Sequence, residues 1–500
     1  MKIDFLGHSV VLIHMPVDKG ETIILSDCWL SDYATGDYMA RNPSIKFDFA
    51  KLPKIDAIYL SHPHCDHFDP YSLMELFSHQ KPDILLPETS SFLKPLLEEY
   101  LNAHVIILKH NKKENLYGLT FRAFSFAVPY HTNEDDVMML SIASKSEIVF
   151  LEVDAAVPDT EESYQTLYSL FTEKQYQTCV YVAVRNELEA LFASLEATSP
   201  NDRKNKLKEY RIKRRDEMAY EYDKFEESDI PEIWRVANLT KIYIGQGMIV
   251  PPDAAPDLLE LSSPFPLSEV VSEEKKIAQE YKRNLRFIAQ EPGKSVHING
   301  TKSELREIDY LEKLEKYPVT LRMDKTVRVH RKDKPVYPRK ENIKEQKEKI
   351  IKLLNERFLP HQLSSLMDPL KMIVSNKKSR NYVIEVRYGT AESYETVYYG
   401  WSFTSIWFTE MNLEKEDSDE RYWATDIIDF MEGRQDMFST MLHFFPEGKQ
   451  IRLWNMMGLP FLNSDFVYKK IQLHFKLASQ NHTSKDWVMP AILDNISTGS

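Results

Sequence analysis

Short apolar runs, each bounded by polar or turn-forming residues, recur along the first part of the chain. Ile3 to Leu6, then Gly7-His8-Ser9, then Val10-Val11-Leu12-Ile13 reads as strand, turn and strand. Thr22 to Ser26 is a third run and ends at Asp27. Ile55-Asp56-Ala57-Ile58-Tyr59-Leu60 has the length and apolar character of a buried strand. Thr120–Val128 and Ser146–Val153 read the same way, and so does the segment starting at Lys241. Helical periodicity fills the intervals. Leu73, Leu76 and Phe77 lie on one face, and Asp69-Pro70 in front of them is a helix start, with Asp as N-cap and Pro in the first turn. Residues 1 to about 300 therefore predict an α/β unit of strands alternating with helices.

The texture changes further on. Val250-Pro251-Pro252-Asp253 and Ser262-Ser263-Pro264-Phe265-Pro266 are loop-like, and Pro292-Gly293 is a turn signal. A charged segment from Arg322 to Lys352 holds Pro335 and Pro338 and runs into a helix predicted from Asn342 to Phe358. The domain boundary is expected between about 300 and 340, giving units of 1–310 and 311–500. In the second unit Asn381 to Tyr388 alternates like a half-buried strand. Glu395–Trp401 and Phe403–Phe408 look like its neighbours, and helices are expected at Ala424–Met431 and Met437–Phe445. A smaller α+β accessory domain with an antiparallel sheet follows from this, with no catalytic motif of its own.

Composition narrows the class. A hydrophobic content of 43% is ordinary for a globular protein. No apolar stretch approaches the ~20 residues of a membrane span, and the chain enters a strand without a signal-like leader. Cys28, Cys65 and Cys179 do not make a disulfide framework, so a cytoplasmic location is expected. A net charge of −13 argues against nucleic acid as a partner. One stretch runs the other way: Arg203 to Arg215 is strongly basic and lies in a helical insertion predicted over about 186–226. It reads as a solvated helix face or as a clamp for a phosphate or carboxylate on the substrate.

The chemistry concentrates in His62-Pro63-His64-Cys65-Asp66-His67, on the loop after the strand ending at Leu60. Imidazole and carboxylate are preferred donors for zinc and also suit iron and manganese. Alternation sends His62 and His64 one way, and Asp66 and His67 turn toward a second position. One loop can thus begin two adjacent metal sites. The bland alternative is a solvated histidine-rich loop, against which this spacing is far more specific. Cys65 reads as a spacer or as a redox-sensitive neighbour.

This tract resembles the His-x-His-x-Asp-His signature of the metallo-β-lactamase superfamily. The resemblance implies an αββα sandwich with metals at one edge. It implies that His131, after the strand ending at Val128, joins His62 and His64 on the first ion. It implies that Asp154, after Val149-Phe150-Leu151-Glu152-Val153, bridges the two ions, and that Asp66 and His67 serve the second. Asp27 would hold a ligating histidine by its other ring nitrogen. His8 would line the cleft or make a structural hydrogen bond. Superfamily members usually supply a late histidine to the second ion, and Lys241 to Met248, where it would fall, has none; Gln246 is a poor substitute and His297 sits in an ordinary strand pattern. Asp27-x-Trp29-Leu30 and Val153-Asp154-Ala155 further resemble the branch containing CMP-N-acetylneuraminate hydroxylase. Those hydroxylases hold a Rieske cluster on a Cys-x-His and a Cys-x-x-His together, and this sequence has no Cys-x-x-His.

The expected function is a binuclear metal-dependent hydrolase, with two divalent ions, zinc before iron or manganese. The ions lower the pKa of a bound water toward ~7 and so supply hydroxide. Asp66, Asp27 and His8 are the candidates for a catalytic role. The substrate is expected to be a small, anionic molecule, and a homo-oligomer is compatible with the chain. The alternatives are a non-haem di-iron oxygenase fed by a separate electron donor, and a metal-containing binding or scaffold protein.

Overall fold

The computed structural model describes residues 1–35, 40–41, 44–125, 137–155, 160–184, 200–223, 233–245, 248–249, 267–315, 342–360, 381–389, 393–402, 404–412, 418–433 and 464–480. Among them two large sheets face one another. The first has the spatial order Lys302–Glu307, Lys294–Asn299, Lys2–Gly7, Val10–Val17, Gly20–Ser26, Ala57–Tyr59, Asp83–Pro87, Val105–Leu108. The second runs Arg286–Ala289, Leu239–Ile244, Thr178–Val184, Glu147–Leu151, Met139–Ala143, Leu119–Phe124, Lys113–Leu116. Both sheets mix parallel and antiparallel pairs.

Strand periodicity explains the layering. Side chains alternate between faces. Val11, Ile13 and Met15 face inward with Phe121, Ile142, Val149, Val180 and Ile242 of the opposite sheet, forming the interior of the sandwich. Their neighbours Val10 and Leu12 face outward and pack with Leu73, Leu76, Phe77 and Leu97 from the helices Pro70–His79 and Lys94–Leu101. The other outer face is covered by the helices Glu161–Thr172, Pro200–Asp223 and Leu267–Glu280 through Leu167, Tyr222 and Ile277. The architecture is an αββα sandwich, the layering that the resemblance implied.

Asp69 caps the helix Pro70–His79 by accepting from Tyr71 N and Ser72 N, with Pro70 in its first turn. Asn342 caps Ile343–Leu353 with a reciprocal bond to Glu345. The helical insertion is described only as Pro200–Asp223; its expected flanks at 186–199 and 224–226 lie outside the described residues, as do Gln246, the turn at Pro251-Pro252 and the predicted helix Met437–Phe445.

Toward the C-terminus Thr409–Met411, Tyr394–Ser402 and Asn381–Gly389 pair antiparallel, and Glu420–Trp423 joins Asn381–Gly389 in parallel. The strand expected over 403–408 is a correction: the described part is turn, and pairing starts at Thr409. The side chain of Asn355 takes both backbone groups of Phe408, at 3.1 and 2.6 Å, so that residue has none left for a ladder. Tyr382, Ile384 and Phe475 share one apolar cluster with the outer face of the first sheet. The helix Ser464–Ser479 reaches the N-terminal part directly: His474 Nδ1 lies 3.2 Å from the Tyr71 hydroxyl, and Phe475 stacks on Tyr100 at 5.2 Å. Leu311–Glu315 pairs with Ser44–Phe47.

Candidate metal centre

Gly7, Ser26 and Tyr59 end their strands at one edge of the first sheet, because Gly20–Ser26 runs parallel to Ala57–Tyr59 and, through Val10–Val17, to Lys2–Gly7. Each strand then releases a polar residue: His8, Asp27, and the loop from Ser61. The loop is closed by the His64 carbonyl, which accepts from His67 N at 3.0 Å and Phe68 N at 2.8 Å. It is stitched to the neighbouring strand end by Asp27 N to Tyr59 O, 2.7 Å, and Cys28 N to His67 O, 2.9 Å. From the facing sheet, Glu147–Leu151 runs into a turn that presents Asp154.

Three of the eight non-glycine residues with positive φ among the described residues lie at this edge. His8, Asp27 and Val153 have φ of 51°, 58° and 49°. Left-handed backbone is uncommon for non-glycine residues, and where surrounding contacts hold it in place it clusters at functional sites. Gly7 precedes His8 with φ 118°, a backbone that favours glycine, and a Cβ there would crowd the Arg41 guanidinium at 3.0 Å.

The hydrogen bonds order the protons. Asp27 is fully buried. Its Oδ2 lies 2.8 Å from His67 Nδ1, and its Oδ1 accepts from both Ser61 N and Ser61 Oγ at 2.8 Å. Ser61 Oγ is also 2.8 Å from His62 Nδ1. Since the serine proton points at Asp27, the hydroxyl accepts from His62 Nδ1–H. One carboxylate thus fixes the proton of two imidazoles on Nδ1, His67 directly and His62 through Ser61. Both Nε2 atoms are left to point into the cleft. His62 Nε2 is 2.9 Å from His64 Nδ1, and His67 Nε2 is 2.9 Å from Asp154 Oδ2. Asp66 Oδ2 is 2.8 Å from His8 Nε2, while Asp66 Oδ1 is buried with no hydrogen-bond partner.

The electrostatics follow. Burial, with His67 and His64 nearby, holds His62 well below the usual imidazole range and keeps it neutral. Burial opposes the charged form of His67 too, but Asp154, Asp66 and Asp27 outweigh it and push its pKa well up. Burial would raise Asp66, yet His67 and His8 draw its carboxyl far below the ordinary range. The Asp154 carboxyl is likewise lowered, burial being outweighed by His67. A proton on His67 between three carboxylates is the charge that a cation would supply there.

Two groups of donor atoms each lie within 4.8 Å of one another: His8, Asp66 and His67, and His62, His67 and Asp154. Donors about 2.0–2.1 Å from one tetrahedral ion stand roughly 3.4 Å apart. The present 2.8–2.9 Å contacts therefore need to open by only about half an ångström. All-nitrogen-and-oxygen donors and the orphaned Asp66 Oδ1 fit divalent metal ions.

Of the residues singled out in the sequence, His8, Asp27, His62, His64, Asp66, His67 and Asp154 come together; His131 lies outside the described residues. His297 pairs with Lys2, at the far end of the strand that leads to His8. Ser61 escaped notice, although its place directly before His62 at a strand end was a usable signal. Ser9, whose Oγ is 3.2 Å from His67 Nδ1, offered none. Cys65 is buried, its carbonyl accepting from Thr35 N at 3.3 Å.

No protein-family model and no curated protein matches the sequence. Solved structures similar to the chain include CmlA, a diiron β-hydroxylase from Streptomyces venezuelae, at 11% identity and TM-score 0.34, over 61% of this chain and 54% of that one. Another is "a possible metal-dependent hydrolase" from Veillonella parvula, at 13% identity and TM-score 0.34, over 60% and 99% of the two chains. A third is the metallo-β-lactamase fold protein YhfI from Bacillus subtilis, at 15% identity and TM-score 0.25, over 37% and 71%. The chain spans about half the length of CmlA, 54%.

Proposed function

We propose that the chain is a binuclear metal-dependent hydrolase acting on a small molecule. The observation behind this is the shared proton order imposed by Asp27, which leaves two imidazole Nε2 atoms pointing beside Asp66 and Asp154. His62, His64, Asp66, His67 and Asp154 would hold the ions, with zinc favoured and iron or manganese also suited. When bound, the ions would lower the pKa of a water toward about 7 and polarise the attacked oxygen. Asp66 Oδ1 is buried with no hydrogen-bond partner, so a bound ion would satisfy it. Asp154 is the more solvent-facing carboxylate, its side chain 25% accessible against 6% for Asp66, so a substrate would approach from its side.

The preference for an anionic substrate loses support. Arg211 pairs with Glu269 and Glu273, and Lys213 and Arg214 pair with Glu217, so much of the basic stretch is matched by neighbouring acids, as a solvated helix face would be. No helix among the described residues is long and apolar enough to cross a membrane. The three cysteines are buried thiols, compatible with a cytoplasmic enzyme.

The test is reconstitution after chelation, using a panel of ester, lactone, amide and phosphodiester substrates. Zinc or manganese should restore turnover without oxygen or reductant. Activity that returns only with ferrous iron, oxygen and an electron donor would replace the hydrolase reading with an oxygenase. Tight metal binding with no turnover on any substrate would favour a binding protein.

A further inference from the structure

We infer that His8 is the missing imidazole ligand of the second metal position, closing a set with Asp66, His67 and Asp154. This rests on the binuclear reading above. The strand and turn where a late histidine was expected, Lys241 onward, contains none. The structure brings a histidine from the opposite end of the domain instead. His8 leaves the strand Lys2–Gly7 at its last residue and adopts a left-handed φ of 51°. That conformation turns its ring under the loop, where it is 1% exposed. Trp29 holds it edge-on at 5.3 Å between ring centroids, and His67 lies 5.8 Å away on the other side. Its Nε2 is 2.8 Å from Asp66 Oδ2 and forms a mutually close set with the donor atoms of Asp66 and His67.

The same geometry ranks the two positions. His62 at the first position and His67 at the second each have Nδ1 bound to an acceptor that leads to Asp27, which strengthens Nε2 as a donor. His8 Nδ1 is buried without a hydrogen-bond partner. It is the weaker donor, so the second ion is the more easily lost.

The competing role for His8 is to hydrogen-bond Asp66 and position it, with no bond to metal. Cobalt(II) titration of the metal-free protein, with X-ray absorption to count imidazoles per ion, separates the two. The full chain should take two ions per molecule, the second more weakly. His8→Ala should leave the first affinity within about threefold and lose the second ion. The weakening should exceed the roughly 10–100-fold that losing a supporting hydrogen bond costs. His8→Gln keeps an amide able to bond Asp66 but has no imidazole, and it should fail in the same way. Two results would overturn the inference: Gln restoring the second ion, or either variant filling both positions with an unchanged imidazole count. If the unaltered chain binds no cobalt at all, the binuclear reading itself fails, and His8 is then not at issue. Circular dichroism of both variants, expected to match the parent, shows that the loss is not unfolding.

Discussion

Replacing Asp27 separates its two jobs, holding the loop and ordering protons. Asp27→Ala removes the acceptor for Ser61 N, Ser61 Oγ and His67 Nδ1, all within 2.8 Å and all buried. Each buried donor left without a partner costs about 1–3 kcal/mol. Alanine at φ 58° adds roughly 1 kcal/mol, since it lacks the local polar contacts that let Asp and Asn visit that region. Relaxation and water entry recover part of this, leaving about 3–5 kcal/mol, the range typical for breaking a buried charged pair. For a unit of about 300 residues, a loss of that size should lower the melting temperature by roughly 5–8 °C. Asp27→Asn is different. Its amide oxygen still accepts from Ser61, and asparagine tolerates the left-handed backbone. Its NH2 group then faces His67 Nδ1, which must become an acceptor, so the proton moves to Nε2 and blocks that atom as a ligand. The Asn variant should melt within a few degrees of the parent yet bind zinc roughly 10–100-fold more weakly. Thermal melts paired with zinc competition against a chromophoric chelator read both quantities. An Asn variant that keeps the parent's affinity, or an Ala variant that keeps its melting temperature, would refute the proton-ordering argument.

Further expectations follow from other contacts. Ser61→Ala cuts the link between His62 Nδ1 and Asp27, so it should weaken the first ion by up to roughly 10-fold while sparing the fold, as the same competition assay would show. Asp4 should matter in acid: burial raises its carboxyl, but His14, Ser295 and Lys2 outweigh that and bring it from 3.8 to about 2. A lowered carboxyl stabilises the fold above its unfolded pKa, so about 2 kcal/mol is present at neutral pH and is lost as pH falls from about 4 through 2. Asp4→Asn should abolish that step in urea melts run across the range, and a parent whose stability is flat there would contradict the linkage. Lys241 and Glu274, 2.7 Å apart and both buried, pin the helix Leu267–Glu280 to the second sheet. Lys241→Met alone should cost about 3–5 kcal/mol in urea unfolding, and adding Glu274→Gln, which can still bond Tyr222 and Tyr243, should recover at least half.

The signature loop was legible because its donors are adjacent in sequence and follow an unmistakable buried strand. Asp27 and Asp154 were legible as carboxylates at strand ends, and the helix start at Asp69-Pro70 as a cap. What could not be read was set by non-local contact or by backbone shape. Nothing in Gly7-His8-Ser9 announces a left-handed histidine beneath a loop more than fifty residues away. Lys241 looked like an ordinary strand residue, because its partner Glu274 comes from a helix 33 positions on. Phe403 to Phe408 had strand-like residues, but the backbone groups of Phe408 are taken by Asn355, which lies in another element. The parallel pairing of Glu420–Trp423 with Asn381–Gly389 likewise depends on a long connection that local alternation does not encode.

The central claim is that ions sit between the signature loop and Asp154. An anomalous-difference map of crystals grown from protein purified without added metal, collected at the edge of whichever metal elemental analysis finds, tests it most directly. The account predicts density within about 2.0–2.2 Å of His62 and His67 Nε2, with Asp154 reaching both positions. A map with no peak at that edge of the sandwich, or with peaks only at surface carboxylates, would contradict it.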